Sequence, residues 1–176
     1  MATTITGSLF DDALATTPAP DKLTALAGND IVLISAFGDH VGDTLDGGLG
    51  YDQLWFTGGG TLPLLATVTG IESANIVDAV GNSNDTIAAD INAGAVAALL
   101  PYFTLVGNDG INVLTGTKGA DLIVGNGGAD TINGGISEVW GSQFADAIRG
   151  NADRKARRRS DNKYHSAHLL ARWKGA

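Results

Sequence analysis

The residues that could do chemistry are a set of aspartates recurring at intervals of nine. Asp43 and Asp52 form one pair, Asp121 and Asp130 a second, and Asn112 stands nine residues before Asp121. Each is sixth in a nine-residue unit. The later units read GNDGINVLT (107–115), GTKGADLIV (116–124) and GNGGADTIN (125–133), and a fourth opens at Gly134-Gly135. Glycine holds the first place (Gly107, Gly116, Gly125, Gly134) and the fourth (Gly110, Gly119, Gly128), and the eighth is Leu114, Ile123 or Ile132. An earlier block, GDHVGDTLD (38–46) and GGLGYDQLW (47–55), keeps this register with Leu45 and Leu54 eighth. Carboxylates are hard oxygen ligands, and Ca²⁺ collects about six to eight oxygens. Aspartate set among glycines, whose backbone can approach an ion closely, points to Ca²⁺ binding.

These residues need a turn and a strand to position them. The glycines supply the turn. The next three residues suit a short strand with its middle aliphatic pointing inward. Such a strand is unstable alone and must stack on neighbours. Stacking brings the aspartates into line, where like charges repel unless a cation lies between them. Binding and folding are therefore expected to be coupled.

Composition agrees. The 25 glycines among 176 residues are too many for a packed helical protein. With no cysteine, disulfides, thiolate catalysis and Cys-based zinc sites are excluded. The first 30 residues lack a basic start followed by an apolar run, so no ordinary secretory signal is expected. The most apolar stretch, Ala93 to Val106, is broken by Pro101 and too short to span a bilayer, so no membrane span is expected. Charge is divided sharply. Residues 1–148 hold 17 acidic and 2 basic side chains, and residues 149–176 hold 2 acidic and 9 basic. An acidic body is suited to cations.

GGLGYDQLW fits the pattern GGxGxDxUx at every specified position. The chain thus resembles the RTX, or hemolysin-type, calcium-binding repeat proteins. The resemblance is close over 38–55 and 107–135 and partial at 28–34, 81–87 and 141–149. It implies an all-β fold, a right-handed parallel β-roll or β-solenoid with irregular inserts, in which two nonapeptides make one coil and each Ca²⁺ sits between turns two repeats apart. Position by position, it implies ligands at Asp121 and Asp130 with the carbonyls of Gly116, Gly119, Gly125 and Gly128, and a weaker, neutral ligand at Asn112. In the first block it implies Asp43 and Asp52 beside the carbonyls of Gly47, Gly48 and Gly50. Val41 departs from the fourth-place glycine. The resemblance further implies a bacterial protein exported unfolded by the one-step type I route and folded by Ca²⁺ outside the cell.

The remaining segments set the expected domain plan. Residues 1–25 read as a mobile lead-in, 26–149 as the calcium-binding solenoid with an apolar insert at 56–106, and 150–176 as a basic, disordered tail. Within the insert, VTGIESANIVDA (68–79) reads as irregular strand and Asn92 to Leu100 as a short helix ending before Pro101. The tail fits neither an end cap nor the weakly basic export signal of RTX proteins. A change of reading frame is the reading preferred to a genuine basic arm for nucleic acid or anionic lipid, so no nucleic-acid partner is expected, and salt-dependent DNA binding lost on removing 150–176 would mark the arm.

Isolated residues invite blander readings. Asp30 and Asp85 are as well explained by local turns as by a metal. His40, near Asp39 and Asp43, is expected in an exposed loop. His165 and His168 lack a third ligand. Trp55, Trp140 and Phe144 suit packing better than carbohydrate stacking. Neither HExxH nor GxSxG occurs, so no enzyme activity is expected of this chain. The function expected is a secreted or cell-surface structural or adhesive module, with a cell surface or a second copy as partner. The alternative is the accessory domain of a type I-secreted protease or lipase.

Overall fold

The computed structural model describes residues 2–97, 103–135, 138–141, 147–150 and 156–158. The strands run, in chain order, β1 Thr3–Thr6, β2 Ala13–Ala15, β3 Asp21–Thr24, β4 Ile31–Ile34, β5 Thr44–Asp46, β6 Gln53–Phe56, β7 Gly60–Pro63, β8 Val68–Thr69 and β9 Ser73–Ile76. They continue as β10 Ala89–Asn92, β11 Phe103–Val106, β12 Val113–Thr115, β13 Asp121–Val124, β14 Thr131–Gly135, β15 Glu138–Gly141, β16 Ala147–Gly150 and β17 Ala156–Arg158. Every pairing among them is parallel, and the described residues contain no α-helix. The fold is all-β, a β-solenoid of about six coils.

One eight-stranded sheet runs the length of the solenoid in the order β2-β4-β6-β9-β11-β13-β15-β17. A four-stranded sheet, β1-β3-β5-β8, faces the first coils, and a five-stranded sheet, β7-β10-β12-β14-β16, serves the later ones. The coil from β6 to β9 passes through all three. Because alternate residues of a strand point to opposite faces, apolar residues enter the interior at every second place, two in strands such as β4 and β6, and meet their counterparts one coil away. The long sheet stacks Leu14, Val32, Leu54, Ala74, Leu105 and Ile123. The four-stranded sheet stacks Ile5, Leu23, Leu45 and Val68, and the five-stranded one Leu62, Ile91, Leu114 and Ile132. Ile5 and Leu14, at the open N-terminal end, are only partly buried, while the rest of these residues form one buried core. Each fully buried aliphatic contributes about 1.5–3 kcal/mol.

Three expectations differ from the structure. In place of the expected mobile lead-in, residues 2–25 hold β1, β2 and β3 in register with later coils, because Asp12, Asp21, Leu14 and Leu23 keep the nine-residue spacing although Gly7 alone of the pattern's glycines remains there. The helix expected from Asn92 does not form over 92–97. Asn92 ends β10, and the backbone turns with Val96 N–H donating to Ala93 O (2.9 Å), which buries Ala93 and Val96. Ala98 to Leu100 lie outside the described residues. His40 is buried rather than exposed. It ends a short 3₁₀ turn, Phe37–His40, with ring Nε2 2.9 Å from Pro63 O. The described residues of 56–106 add β7 to β11 to the sheets, and strands form at Val68–Thr69 and Ser73–Ile76 as read from the sequence. Phe144, Asp146, His165, His168 and most of the 150–176 tail lie outside the described residues; within that tail Gly150 ends β16, and Ala156–Arg158 pair with β15.

Candidate metal-binding rows

The strand register draws the acidic side chains into rows that run along the solenoid. On the long sheet, the residue before each strand stacks as Asp12, Asp30, Asp52 and Glu72. One oxygen of each later carboxylate accepts the N–H of its counterpart one coil earlier. Asp12 N–H donates to Asp30 Oδ1 (2.7 Å), Asp30 N–H to Asp52 Oδ1 (2.8 Å), and Asp52 N–H to a Glu72 carboxylate oxygen (2.7 Å). Phe103 takes the next place and breaks the row before Asp121. On the four-stranded sheet Asp21 and Asp43 repeat the motif, with Asp21 N–H donating to Asp43 Oδ1 (2.7 Å). On the five-stranded sheet Asn112 N–H donates to Asp130 Oδ1 (3.0 Å).

The turn backbone closes over these carboxylates. Gly50 has φ of 139°, and a Cβ there would overlap the carbonyl oxygen of Gly28 one coil away. Gly128, at φ 87°, stands in the same relation to Gly110 O. Side chains at these places would fill the space between turns, which is why the pattern needs glycine. At the first place, a Cβ on Gly47 would overlap Gly70 O and stand 2.7 Å from Asp52 Oδ2. A Cβ on Gly125 would stand 2.5 Å from Asp130 Oδ2, and one on Gly116 would overlap Asp121 Oδ2. Carbonyl and carboxylate oxygens thus border the same narrow gaps.

The electrostatics of the gaps are unbalanced. Asp30 and Asp52 are fully buried, and the Oδ2 atom of each accepts no hydrogen bond. Burial raises the Asp52 carboxyl above its ordinary value, opposed by the Asp30 N–H bond and reinforced by the charges of Asp30 and Asp46. Burial likewise raises Glu72, opposed by the Asp52 N–H bond and reinforced by the charge of Asp52. Buried, unpartnered carboxylate oxygens beside carbonyls suit a hard cation. No three His, Cys, Asp or Glu side chains among the described residues surround a single point. A cation here would draw most of its oxygens from the turn backbone, so the donor set fits Ca²⁺.

The expected ligands are divided by the winding. Asp43 and Asp52 belong to different rows, and Asp121 and Asp130 lie on different sheets. Asp43 is grouped instead with Asp21, Asp52 with Asp30 and Glu72, and Asn112 with Asp130. Asp121 accepts from the Thr117 hydroxyl (2.7 Å). Asp85, by contrast, accepts the nearby Ile87 N–H (3.1 Å), a local turn bond. Trp55 is half-buried, with Nε1 donating to Gln53 (3.3 Å). Sequence reasoning missed Asp12, Asp21 and Glu72. The first two could have been found by following aspartate and aliphatic at nine-residue spacing through 7–33 without requiring glycine.

Comparison with known families agrees with this geometry. The RTX calcium-binding nonapeptide repeat model matches four copies, over residues 6–39 and 106–136. These segments are RTX nonapeptide repeats, and they are calcium-binding motifs. The matched residues are less than half the chain. No curated protein and no solved structure matches it.

Proposed function

We propose that this chain is a module of a secreted or cell-surface bacterial protein, with a structural or adhesive role, that orders its solenoid by binding Ca²⁺ outside the cell. The observation that carries the reading is the row of buried carboxylates, where Asp30 Oδ2 and Asp52 Oδ2 meet no hydrogen-bond donor. In this reading the ions lie between successive turns, held by Asp43, Asp52, Asn112, Asp121 and Asp130 with carbonyls of Gly47, Gly48, Gly50, Gly116, Gly119, Gly125 and Gly128. Asp12, Asp21 and Asp30 join them. Repeats of this family are typical of secreted bacterial proteins, which supports the location. Leu9, Phe10 and Leu49, exposed on stacked turns of one edge, support contact with a surface or a second copy.

Extracellular calcium modules bind at roughly 10⁻⁴–10⁻³ M, far above cytosolic levels, so the chain stays loose inside the cell and orders on emergence. Millimolar Ca²⁺ should convert a largely disordered metal-free chain to β structure, with Mg²⁺ a poor substitute because it demands tight octahedral geometry. Far-UV circular dichroism with EDTA and with Ca²⁺ tests this, and identical spectra refute it. A protease or lipase domain in the same full-length protein would make the chain its accessory domain instead.

A further inference from the structure

The nonapeptide pattern ends with GGLGYDQLW (47–55) and is absent from 56–80, yet the carboxylate row continues to Glu72. Glu72 stacks on Asp52 in strand register, and Gly70 stacks on Gly47 through the pairing of Asp46 with Thr69. The Gly47 N–H donates to Thr69 O (3.0 Å) and the Glu72 N–H to Asp52 O (3.0 Å). Four residues separate Gly47 from Asp52, whereas only Ile71 separates Gly70 from Glu72. The turn is three residues shorter, and the extra methylene of glutamate carries its carboxylate back to the Asp52 N–H, at 2.7 Å. Glu72 therefore occupies the aspartate place of a contracted turn.

The gap beside it has the same build as those in the repeats. The carbonyl of Gly70 and Oδ2 of Asp52 both border the point where a Cβ on Gly47 would stand. Gly7 shows the parallel arrangement, with Ala25 O at 2.5 Å and Asp12 Oδ2 at 2.8 Å from its Cβ position. Asp52 is fully buried, and its Oδ2 accepts no hydrogen bond. Ile71, fully buried in the core, fixes the contracted turn from below. Phe103, the next residue of the row, is apolar and closes it.

We infer that Asp52, the last repeat aspartate of the row, forms a further Ca²⁺ site with Glu72 and the carbonyl of Gly70, two ligands outside the nonapeptide pattern that terminate the carboxylate row. The inference rests on the calcium-binding reading above and adds a ligand that the repeat motif does not contain. Glu72→Gln keeps an oxygen to accept the Asp52 N–H while removing the charge, so it preserves the turn and weakens the ion.

Bound Ca²⁺ is counted by equilibrium dialysis in the wild type, in Glu72→Gln and in Asp78→Asn, whose carboxylate serves only its own loop through Val80 and Asn82. Glu72→Gln is expected to bind one ion fewer, or to bind one at least roughly tenfold more weakly, with Asp78→Asn unchanged. A full complement at wild-type affinity in Glu72→Gln overturns the inference. A wild type that binds no Ca²⁺ overturns the calcium reading itself. If Glu72→Gln does not fold in Ca²⁺, Glu72→Asp decides. It keeps the charge but withdraws it by one methylene, so wild-type affinity for every ion in that variant also overturns the site.

Discussion

The two repeat regions solve the same packing problem with different charge. In the first coils the row is acidic throughout: Asp12, Asp30 and Asp52 follow one another, with Asp21 and Asp43 beside them. In the later coils the place corresponding to Asp30 is held by Asn112. Its amide donates to Ala89 O (2.7 Å) and Asn108 Oδ1 (2.9 Å), and its oxygen accepts the Asn108 N–H (3.0 Å). Asparagine supplies both donor and acceptor, so this turn satisfies itself. Asp30 and Asp52 can only accept, and each leaves an oxygen over. The backbone ladder is indifferent to the change. Gln53 N–H to Asp30 O and Thr131 N–H to Asn112 O are both 2.8 Å. The comparison separates what holds the coil, which is common to both regions, from what demands a cation, which is concentrated in the first.

The sharpest break of that comparison is removal of the metal. As Ca²⁺ is withdrawn stepwise, the first coils should lose order before the later ones, because they hold more uncompensated buried charge. In hydrogen exchange at neutral pH over a series of falling Ca²⁺ concentrations, the Gln53 amide should lose protection well ahead of Thr131. Equal loss would mean that the asparagine turn gives the later region no independence.

Converting the later region toward the earlier one should have the next largest effect. Asn112→Asp replaces a donor by an acceptor facing Ala89 O and Asn108 Oδ1. At subsaturating Ca²⁺ it should destabilise the chain by about 1–3 kcal/mol and be rescued by saturating Ca²⁺. Urea midpoints at subsaturating and saturating Ca²⁺ measure the difference, and loss of stability that saturating Ca²⁺ does not restore would show a packing role alone.

Single-ligand removal compares the regions directly. Asp52→Asn should shift half-saturation by Ca²⁺ roughly tenfold, and Asp130→Asn by less, since Asp52 lies between two acidic neighbours and Asp130 next to an amide. Asp153→Ala should leave the titration unchanged. Calorimetric titrations give the ranking, and a larger loss at Asp130 would reverse it.

The smallest expected effect is on pH. Burial raises Asp52 and Glu72 above their ordinary values of 3.8 and 4.5. The folded metal-free chain therefore binds more protons than the unfolded one between those values and the raised ones. Stability should increase as pH falls through that window and gain nothing further below the ordinary values. With Ca²⁺ present the sign reverses, because protons compete with the ion for the same oxygens. Circular dichroism of the metal-stripped chain from pH 7 downward should show a modest gain of β signal; a steady loss would refute the assignment.

What the sequence determined by itself is the unit: glycines at the first and fourth places, an oxygen ligand at the sixth and an aliphatic at the eighth. Asp52, Leu54, Asp130 and Ile132 do locally what that pattern says, because turn and strand preferences act over a few neighbouring residues. It also conveyed the ion, since carboxylates among glycines suit Ca²⁺ wherever the chain goes. The resemblance already implied that units two repeats apart meet, as Asn112 and Asp130 do; only the tertiary structure decided which carboxylates meet where the spacing departs from nine. Asp43 and Asp52 are adjacent units that the winding sends to different sheets, while Asp52 and Glu72 come together across a contracted turn. Asp12 and Asp21 enter the rows although their turns lack the glycine pattern. Which carboxylates face each other is set by strand register between coils, and that register sums the lengths of every intervening turn. No local window holds that sum, so the site's membership was fixed only when the coils closed on one another.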